Sequence, residues 1–525
     1  MMSTIGSADP VIVVGNGPVG QTAALLLARW GIPVVLLDRR PERDPIGSKA
    51  ICQQRDVLDV WETVGAGRRI AAEGVTWTTA RTFYRDHELF ALTLPDHGSS
   101  CFPPFVNVSQ ARTEQILDER IAAEPLIDVR WSHDVTGLEQ DENGVDVRCA
   151  NGRALRASYV LACAGARGED IRALLGVSFE GHSFDDRFLI CDIRTELPGW
   201  STERRFYFDP QWNPGRQVLI HPCPGSTFRI DWQVPGDYDL AAEEADGRLD
   251  RRIRAIIGDR DYEIVWKSVY RFHSRVTDRM RCGRVLLAGD CAHLVAPFGA
   301  RGLNSGVADA ENAAWKLAFV LRGWAPESLL DSYHAERHAA ALENLDVTSA
   351  TMRFLVPHDA EQHAHRRAVL DRAVTDRTAW SEVDSGRLAE PFWYTESPLT
   401  TPCPGRPFTG RPPRGTVPPA GPGTIVPDGP VRVEGRDTRF RELARDGLLL
   451  LATPGADVAA AAAAAKSCAA PVRVLELAAI DHTGALAGAF GAEEGEVWVI
   501  RPDAHVAAVL TDPGAVEPAL HRALG

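Results

Sequence analysis

Residues 11–38, VIVVGNGPVGQTAALLLARWGIPVVLLD, restrict the possible folds of this chain more than any other stretch. Val11 to Val14 form the unbroken apolar run that a strand buried on both faces needs, and the run opens directly into Gly15, Gly17 and Gly20. Such a spacing predicts a strand, a tight turn and a helix. Gly15 permits the turn, Gly17 lets backbone amides approach a pyrophosphate, and Gly20 lets the helix lie close on the strand. Pro18 and Val19 complete the turn at the helix N-terminus, where N–H groups and the dipole favour an anion. A second apolar run, Val34 to Leu37, ends in Asp38, placed to accept hydrogen bonds from a ribose hydroxyl, with Arg39 beside it. An acid at that position suits the unphosphorylated adenosine ribose of FAD or NAD better than that of NADP.

At 525 residues the chain exceeds the size at which a single core stops growing, so two or three domains are expected. Fifty-seven basic against 71 acidic residues give a net charge of −14 without a polybasic run, which argues against nucleic acid or an anionic membrane as partner. The 10 cysteines show no C-x-x-C pair, so neither a metal site nor a disulfide framework is indicated. No basic-then-apolar leader precedes the first strand and no apolar run is long enough to span a bilayer, so a cytoplasmic protein is expected.

Helical spacing of Val57, Leu58, Trp61 and Val64 predicts a helix over 48–65, with Lys49 near its start as a phosphate neighbour or a solvated charge. Short strands are expected over 74–104, a helix over 110–123, and strands at 129–131, 145–149 and 159–162. From 178 to 274 helical periodicity nearly vanishes, and strands broken by Pro and Gly predict a β-rich second domain. Trp212, His221, Arg229, Trp232 and His273 are its candidate pocket residues, although most aromatics in a sheet are ordinary core.

The second informative stretch is 283–318, GRVLLAGDCAHLVAPFGARGLNSGVADAENAAWKLA. A buried strand ends in Gly289-Asp290, and a Pro- and Gly-rich loop leads into a helix starting near Leu303. Asp290 offers an acceptor for sugar or ribityl hydroxyls. The helix start offers N–H donors to a ring that becomes negative on reduction. The turn at Gly15 to Gly20, the Gln110 and Glu114 helix, and the run from Gly289 to Lys316 together resemble the group A FAD-dependent aromatic hydroxylases, nearest to the phenol and 3-(3-hydroxyphenyl)propionate hydroxylase branch. The resemblance covers roughly residues 10–345.

It implies an α/β (α+β) chain: a Rossmann-like FAD-binding domain (1–175 and 275–345, with 76–104 on the substrate side) and an interleaved β-rich substrate domain (176–274). It also implies a monooxygenase cycle. NADPH or NADH reduces FAD, O2 adds at the flavin C4a, and the hydroperoxide passes one oxygen to a phenolic or related aromatic ring. Carried over by position, Gly15, Gly17, Pro18, Val19 and Gly20 hold the pyrophosphate, Asp38 the ribose, and Gln110 lies along the cofactor. Gly289 and Asp290 bind the ribityl chain, Pro297 lies near the reacting edge, and the backbone of Gly302, Leu303 and Asn304 faces the pyrimidine ring, so these last four are the catalytic set. Three departures stand out: Lys49 where the family has Arg, Ala164 where it has an acid before Gly165, and Arg301 in a Gly-Gln-Gly position, a cation expected near the flavin or its entrance. Baeyer–Villiger oxygen insertion or dehydrogenation on the same scaffold is the alternative, and a flavin-binding protein without turnover the second. The partners the resemblance implies are a small aromatic substrate, O2 and the reduced nicotinamide, with a homodimer as one assembly open to the chain.

Beyond about Leu345 the pattern weakens into a helical segment and linker (346–400, the Pro- and Gly-rich wrap running to 430). Residues 401–525 alternate apolar strands with an Ala-rich helix at 456–466, resembling the thioredoxin-like C-terminal domain of some phenol hydroxylase relatives. Cys403 and Cys468 are no redox pair by spacing, so a structural role is expected.

Overall fold

The computed structural model describes residues 9–44, 47, 49–94, 100–411, 416 and 418–525. A six-stranded sheet forms around Val11–Val14, which pairs in parallel with Val34–Leu37 on one side and Tyr159–Ala162 on the other. Val285–Leu287 and Ile127–Arg130 extend it in parallel, and Arg281–Cys282 closes one edge as a short antiparallel strand. Both faces are covered, by the helices Pro18–Arg29 and Arg301–Leu321 among others, which is why these strands read as unbroken apolar runs rather than alternating ones.

An eight-stranded sheet stands beside it, in the order His293–Leu294, Glu263–Thr277, Phe179–Arg194, Thr227–Val234, Gln217–Cys223, Glu203–Phe208, Thr79–Tyr84, His87–Thr93. The Thr79–Tyr84 strand joins it through parallel pairing with Glu203–Phe208. One face packs on the amphipathic helix Arg248–Ile257 through Leu249, Ile253 and Ile257. That helix corrects the expectation that helical periodicity nearly vanishes over 178–274: half of its ten residues are charged, and three apolar positions four apart suffice to seat it.

The helix expected over 48–65 is also corrected. Residue 48 lies outside the described residues, Cys52–Gln54 is a strand paired with Phe105–Asn107, and the helix is Arg55–Glu62, followed after a turn by Gly67–Glu73. Asn304 stabilises the strand by accepting the Gln54 N–H at 2.9 Å and donating to the Cys52 carbonyl at 3.0 Å, a tertiary contact that local periodicity does not contain. After the helices Asp331–Leu355 and Ala360–Ala373, an extended wrap leads to a four-stranded sheet ordered Val472–Glu476, Leu448–Ala452, Val497–Ile500, Val506–Leu510, flanked by Val458–Ser467 and Val516–Ala523. Among the described residues no helix is long and apolar enough to cross a membrane.

Candidate active site

A cleft of about 870 Å³ opens between the carboxyl ends of the parallel strands and one face of the eight-stranded sheet. This is where open α/β sheets bind ligands. Val14, the last residue of its strand, and Cys163 and Ala288, each one residue past the end of a neighbouring strand, line its floor, and Gly15, Gly17, Pro18 and Val19 form one wall.

Each glycine of the turn has a separate reason. Gly15 has φ +106°, and a Cβ there would sit 2.3 Å from the Cys163 carbonyl oxygen. A Cβ on Gly20 would lie 1.8 Å from the Gly15 carbonyl oxygen, so helix and turn touch through hydrogen. At Gly17 no protein atom lies within 4 Å of the added carbon, which would project into the cleft. Two glycines thus serve packing and the third leaves ligand space, the division a pyrophosphate cradle requires.

Asp290 faces the open cleft and its carboxylate has no hydrogen-bond partner among the described residues. Its position is fixed from behind. Asp309, fully buried on the helix Arg301–Leu321, accepts from Gly289 N–H at 2.9 Å, from Arg337 Nε at 2.7 Å and shares a 2.7 Å hydrogen bond with His293 Nε2. An added Cβ on Gly306 of the same helix would lie 2.6 Å from Val19 Cγ2 and 3.2 Å from Gly289 Cα, so this helix clamps both ligand-facing turns. The spacing of Asp309, His293 and Arg337 along the chain carries no motif, so only the fold brings them together.

Asp38 lies at the cleft edge with Arg39, Lys49 and Gln110, and its carboxylate is already engaged. It accepts from Asn16 N–H at 2.8 Å, from Arg40 N–H at 2.8 Å, and from the Arg40 guanidinium at 2.9 and 3.0 Å. Those four donors fill a carboxylate's usual acceptor sites, so a ribose hydroxyl must share or displace Arg40. Gln110 accepts from Ala50 N–H at 3.1 Å and donates to Glu114 at 2.8 Å. Ala164 and Arg167 also line the cleft.

Pro297, Gly302 and Leu303 border the opposite end, at the start of the helix, where first-turn N–H groups lack intrahelical acceptors. The preceding residue, Ala300, has φ +59°. Asn304 is drawn aside: its side chain is spent on Gln54, Cys52 and the Ala300 carbonyl, leaving only its backbone for a ligand. Arg301, expected as a cation near the flavin or its entrance, does border the cleft, but its charge is already engaged. Its guanidinium is held by Asn344 Oδ1 at 2.7 Å and by the carbonyls of Arg387 and Leu388, tying the wrap to the helix, and burial lowers its pKa to about 10.

The sheet face sorts the five pocket candidates by alternation. Arg229 and Asp231 point into the cleft with His221 and Leu219 of the neighbouring strand, and Ile190 and Phe188 of the other. Trp232, next after Asp231 and of opposite parity, points into the core against the Arg248–Ile257 helix. His273, adjacent to the cleft-facing Phe272, points away and bonds Ser183 at 2.7 Å; Trp212 packs on Tyr207 on the core side. Period two separates these residues, and applying it from Arg229 would have found Asp231 in the sequence. Arg204 and Tyr270, also in the cleft, needed the strand order.

Residues 9–348 match the family model described as FAD binding domain, and 420–525 match aromatic-ring hydroxylase, C-terminal. The chain is 34% identical over 379 residues to a rifampicin monooxygenase of Streptomyces venezuelae, covering 68% of this chain and 74% of that one. A 3-(3-hydroxy-phenyl)propionate/3-hydroxycinnamic acid hydroxylase of a Mycobacterium species is 28% identical over 69% of this chain and 62% of its own length. The crystal structure of the flavin-dependent monooxygenase PieE in complex with FAD and substrate superposes with TM-score 0.85 over 98% of both chains at 24% identity, a likeness of fold. With open space at Gly17, Asp290 facing the same cleft and a family match spanning both, the chain belongs to the FAD-binding-domain family and is a flavin-dependent monooxygenase of the aromatic-ring hydroxylase type.

Proposed function

We propose that the enzyme uses NADPH or NADH and O2 to hydroxylate a phenolic or related aromatic ring. The observation that carries this is the continuity of one cleft from the Gly15–Gly20 turn, past Asp290 and the helix start at Gly302 and Leu303, to a sheet face lined by Phe188, Leu219 and Phe272. When bound, FAD supplies the electron transfer and oxygen activation that side chains lack. The turn and Asp290 bind and orient it, and the N–H groups of Gly302, Leu303 and Asn304 stabilise negative charge at the adjoining end of the cleft. The apolar sheet face holds an aromatic ring and excludes water.

No second glycine fingerprint is present to hold the nicotinamide, so the reductant docks transiently at the cleft mouth, beside Ala164 and Arg167. Without a carboxylate at 164, weak binding with poor discrimination between NADH and NADPH is the expected behaviour. Residues 401–525 act as a thioredoxin-like structural domain without dithiol chemistry. Oxygen uptake with each nucleotide and a panel of phenols, with product mass, tests the reading. A product heavier by one oxygen atom supports it; nucleotide oxidation yielding an unsaturated product of unchanged oxygen content would replace it with dehydrogenation.

A further inference from the structure

Two buried polar atoms on the sheet side of the cleft have no hydrogen-bond partner among the described residues: Oδ1 of Asp231 and Nδ1 of His221. Unpaired buried polar atoms are rare in native proteins because desolvation is costly, and they call for an explanation. Their placement is set by strand register. Asp231 lies opposite Leu219 on one neighbouring strand and Ile190 on the other, and His221 lies opposite Arg229. The two are therefore diagonal neighbours on one face, with Cα atoms about 7–8 Å apart. Apolar side chains surround them, Leu219 and Ile190 at the sides and Phe188 and Phe272 beyond.

The charges facing Asp231 come from several elements. Arg229, on its own strand, binds both oxygens of Asp192 at 2.8 and 3.3 Å and donates to the Lys49 carbonyl at 2.9 Å. Arg204 donates to the Ser385 carbonyl at 3.2 Å and lies over the Phe206 ring. Tyr270, Cys52 and Cys223 are neutral, burial raising the tyrosine and pushing both thiols up to about 12. Burial also pushes the Asp231 carboxyl up to about 7, against the pull of Arg229 and Arg204, and lowers His221 so that its imidazole is neutral. A carboxyl with that affinity for protons, near two committed guanidinium groups that favour an anionic oxygen, is matched to proton transfer near neutral pH.

We propose, building on the reading of this cleft as the aromatic-substrate site, that Asp231 accepts the proton of the substrate's phenolic hydroxyl while His221 hydrogen-bonds a second oxygen of the same substrate. The phenolic O–H bond breaks, its electron pair stays on oxygen, and the proton moves to an Asp231 carboxylate oxygen. The phenolate releases electron density into the ring carbons ortho and para to it; when one of them gains an oxygen atom from O2 at the expense of the reduced nicotinamide, its C–H bond breaks, the electron pair restores the aromatic ring, and the proton leaves with the second oxygen atom as water. Asp231 returns the proton to the product phenolate, so the residue is unchanged over the cycle. The substrate class is a neutral aromatic bearing at least two oxygen functions, since the nearby guanidinium groups already hold a carboxylate and carbonyls.

The test uses the FAD-loaded full-length protein and needs no turnover. Binding of 2-naphthol, 2-methoxynaphthalene and 2,7-dihydroxynaphthalene is measured by difference absorption, which also separates bound naphthol from naphtholate. The wild type should bind 2-naphthol about tenfold or more tighter than its methyl ether, as naphtholate, with affinity rising as pH increases through about 7. Asp231→Asn should retain FAD and melting temperature, hold the probe as neutral naphthol, and lose most of the preference. His221→Phe should weaken 2,7-dihydroxynaphthalene about tenfold while leaving 2-naphthol nearly unchanged. Equal wild-type affinity for naphthol and ether, no binding of either, a pH-independent affinity, or naphtholate persisting in Asp231→Asn overturns the proposal. The wild-type arms decide it even if a variant fails to fold. Failure of the monooxygenase reading looks different: the preference and the naphtholate band are present, yet no phenol gains oxygen with reduced nicotinamide in air.

Discussion

Arg501 of the C-terminal sheet region reaches across to Glu336 on the long helix Asp331–Leu355, donating to Oε2 at 3.0 Å and also to Oε1, with both side chains fully buried. Lys316 donates to the same Oε2 at 2.6 Å and Asp503 accepts from Arg501 at 2.6 Å, so four buried charges close one network between the FAD-binding region and the C-terminal region. Such a network is worth little beyond a well-packed apolar alternative, but breaking it is costly because a charge is left uncompensated.

Arg501→Ala should therefore destabilise the protein by about 3–5 kcal/mol. Denaturant unfolding of the variant checks the size of the effect. A separate early transition would show that the C-terminal region undocks first, and a loss under about 1 kcal/mol would mean that the network relaxes freely.

The glycine turn separates folding from ligand binding. Gly20→Ala, whose Cβ would meet the Gly15 oxygen at 1.8 Å, should lower the melting temperature, whereas Gly17→Ala, which meets no protein atom within 4 Å, should not. Gly17→Ala should instead be purified with little FAD, read from the visible absorption of the protein.

Asp290→Ala should weaken FAD by one charge-assisted hydrogen bond, about 1.5–3 kcal/mol or roughly 10- to 150-fold in Kd. Equilibrium titration of the apoprotein with FAD measures this. The flavin should be released completely on denaturation, because what the turn and Asp290 offer it is space, backbone N–H groups and a carboxylate acceptor. An unchanged Kd would remove Asp290 from the site.

Acid stability should depend on Asp309. Its pKa, held at about 2 by His293, Arg337 and the Gly289 N–H despite burial, lies below the ordinary carboxylate value of 3.8. A depressed carboxylate stabilises the fold above its unfolded pKa and ceases to do so as pH falls through the folded one, so roughly 2 kcal/mol should be lost between about pH 4 and pH 2. Asp309→Asn should be less stable than the wild type near neutrality and show a shallower loss over that acid range.

Cys403→Ser with Cys468→Ser should leave turnover unchanged. Both thiols are free, and they pack on opposite faces of the C-terminal sheet, Cys403 with Leu449 and Leu451 and Cys468 with Leu448 and Leu450. A large loss of activity in the double variant would revive a redox role.

The sequence alone determined what depends on neighbours along the chain. The strand, turn and helix from Val11 onward, the Gly289-Asp290 turn and the apolar C-terminal strands are set by local steric and burial demands, and each was legible as written. Tertiary structure decided what depends on register and on distant partners. Asp231 and Trp232 are adjacent in the chain, yet one faces the cleft and the other the core, because strand pairing fixes which parity is buried. Asp309 supports Gly289 from twenty residues away in sequence, Arg301 at the cleft border spends its guanidinium on carbonyls some 86 residues on, and Arg40 occupies the Asp38 carboxylate. These choices are made by hydrogen-bond satisfaction in the packed interior, where a buried charge takes whichever partner the fold brings to it.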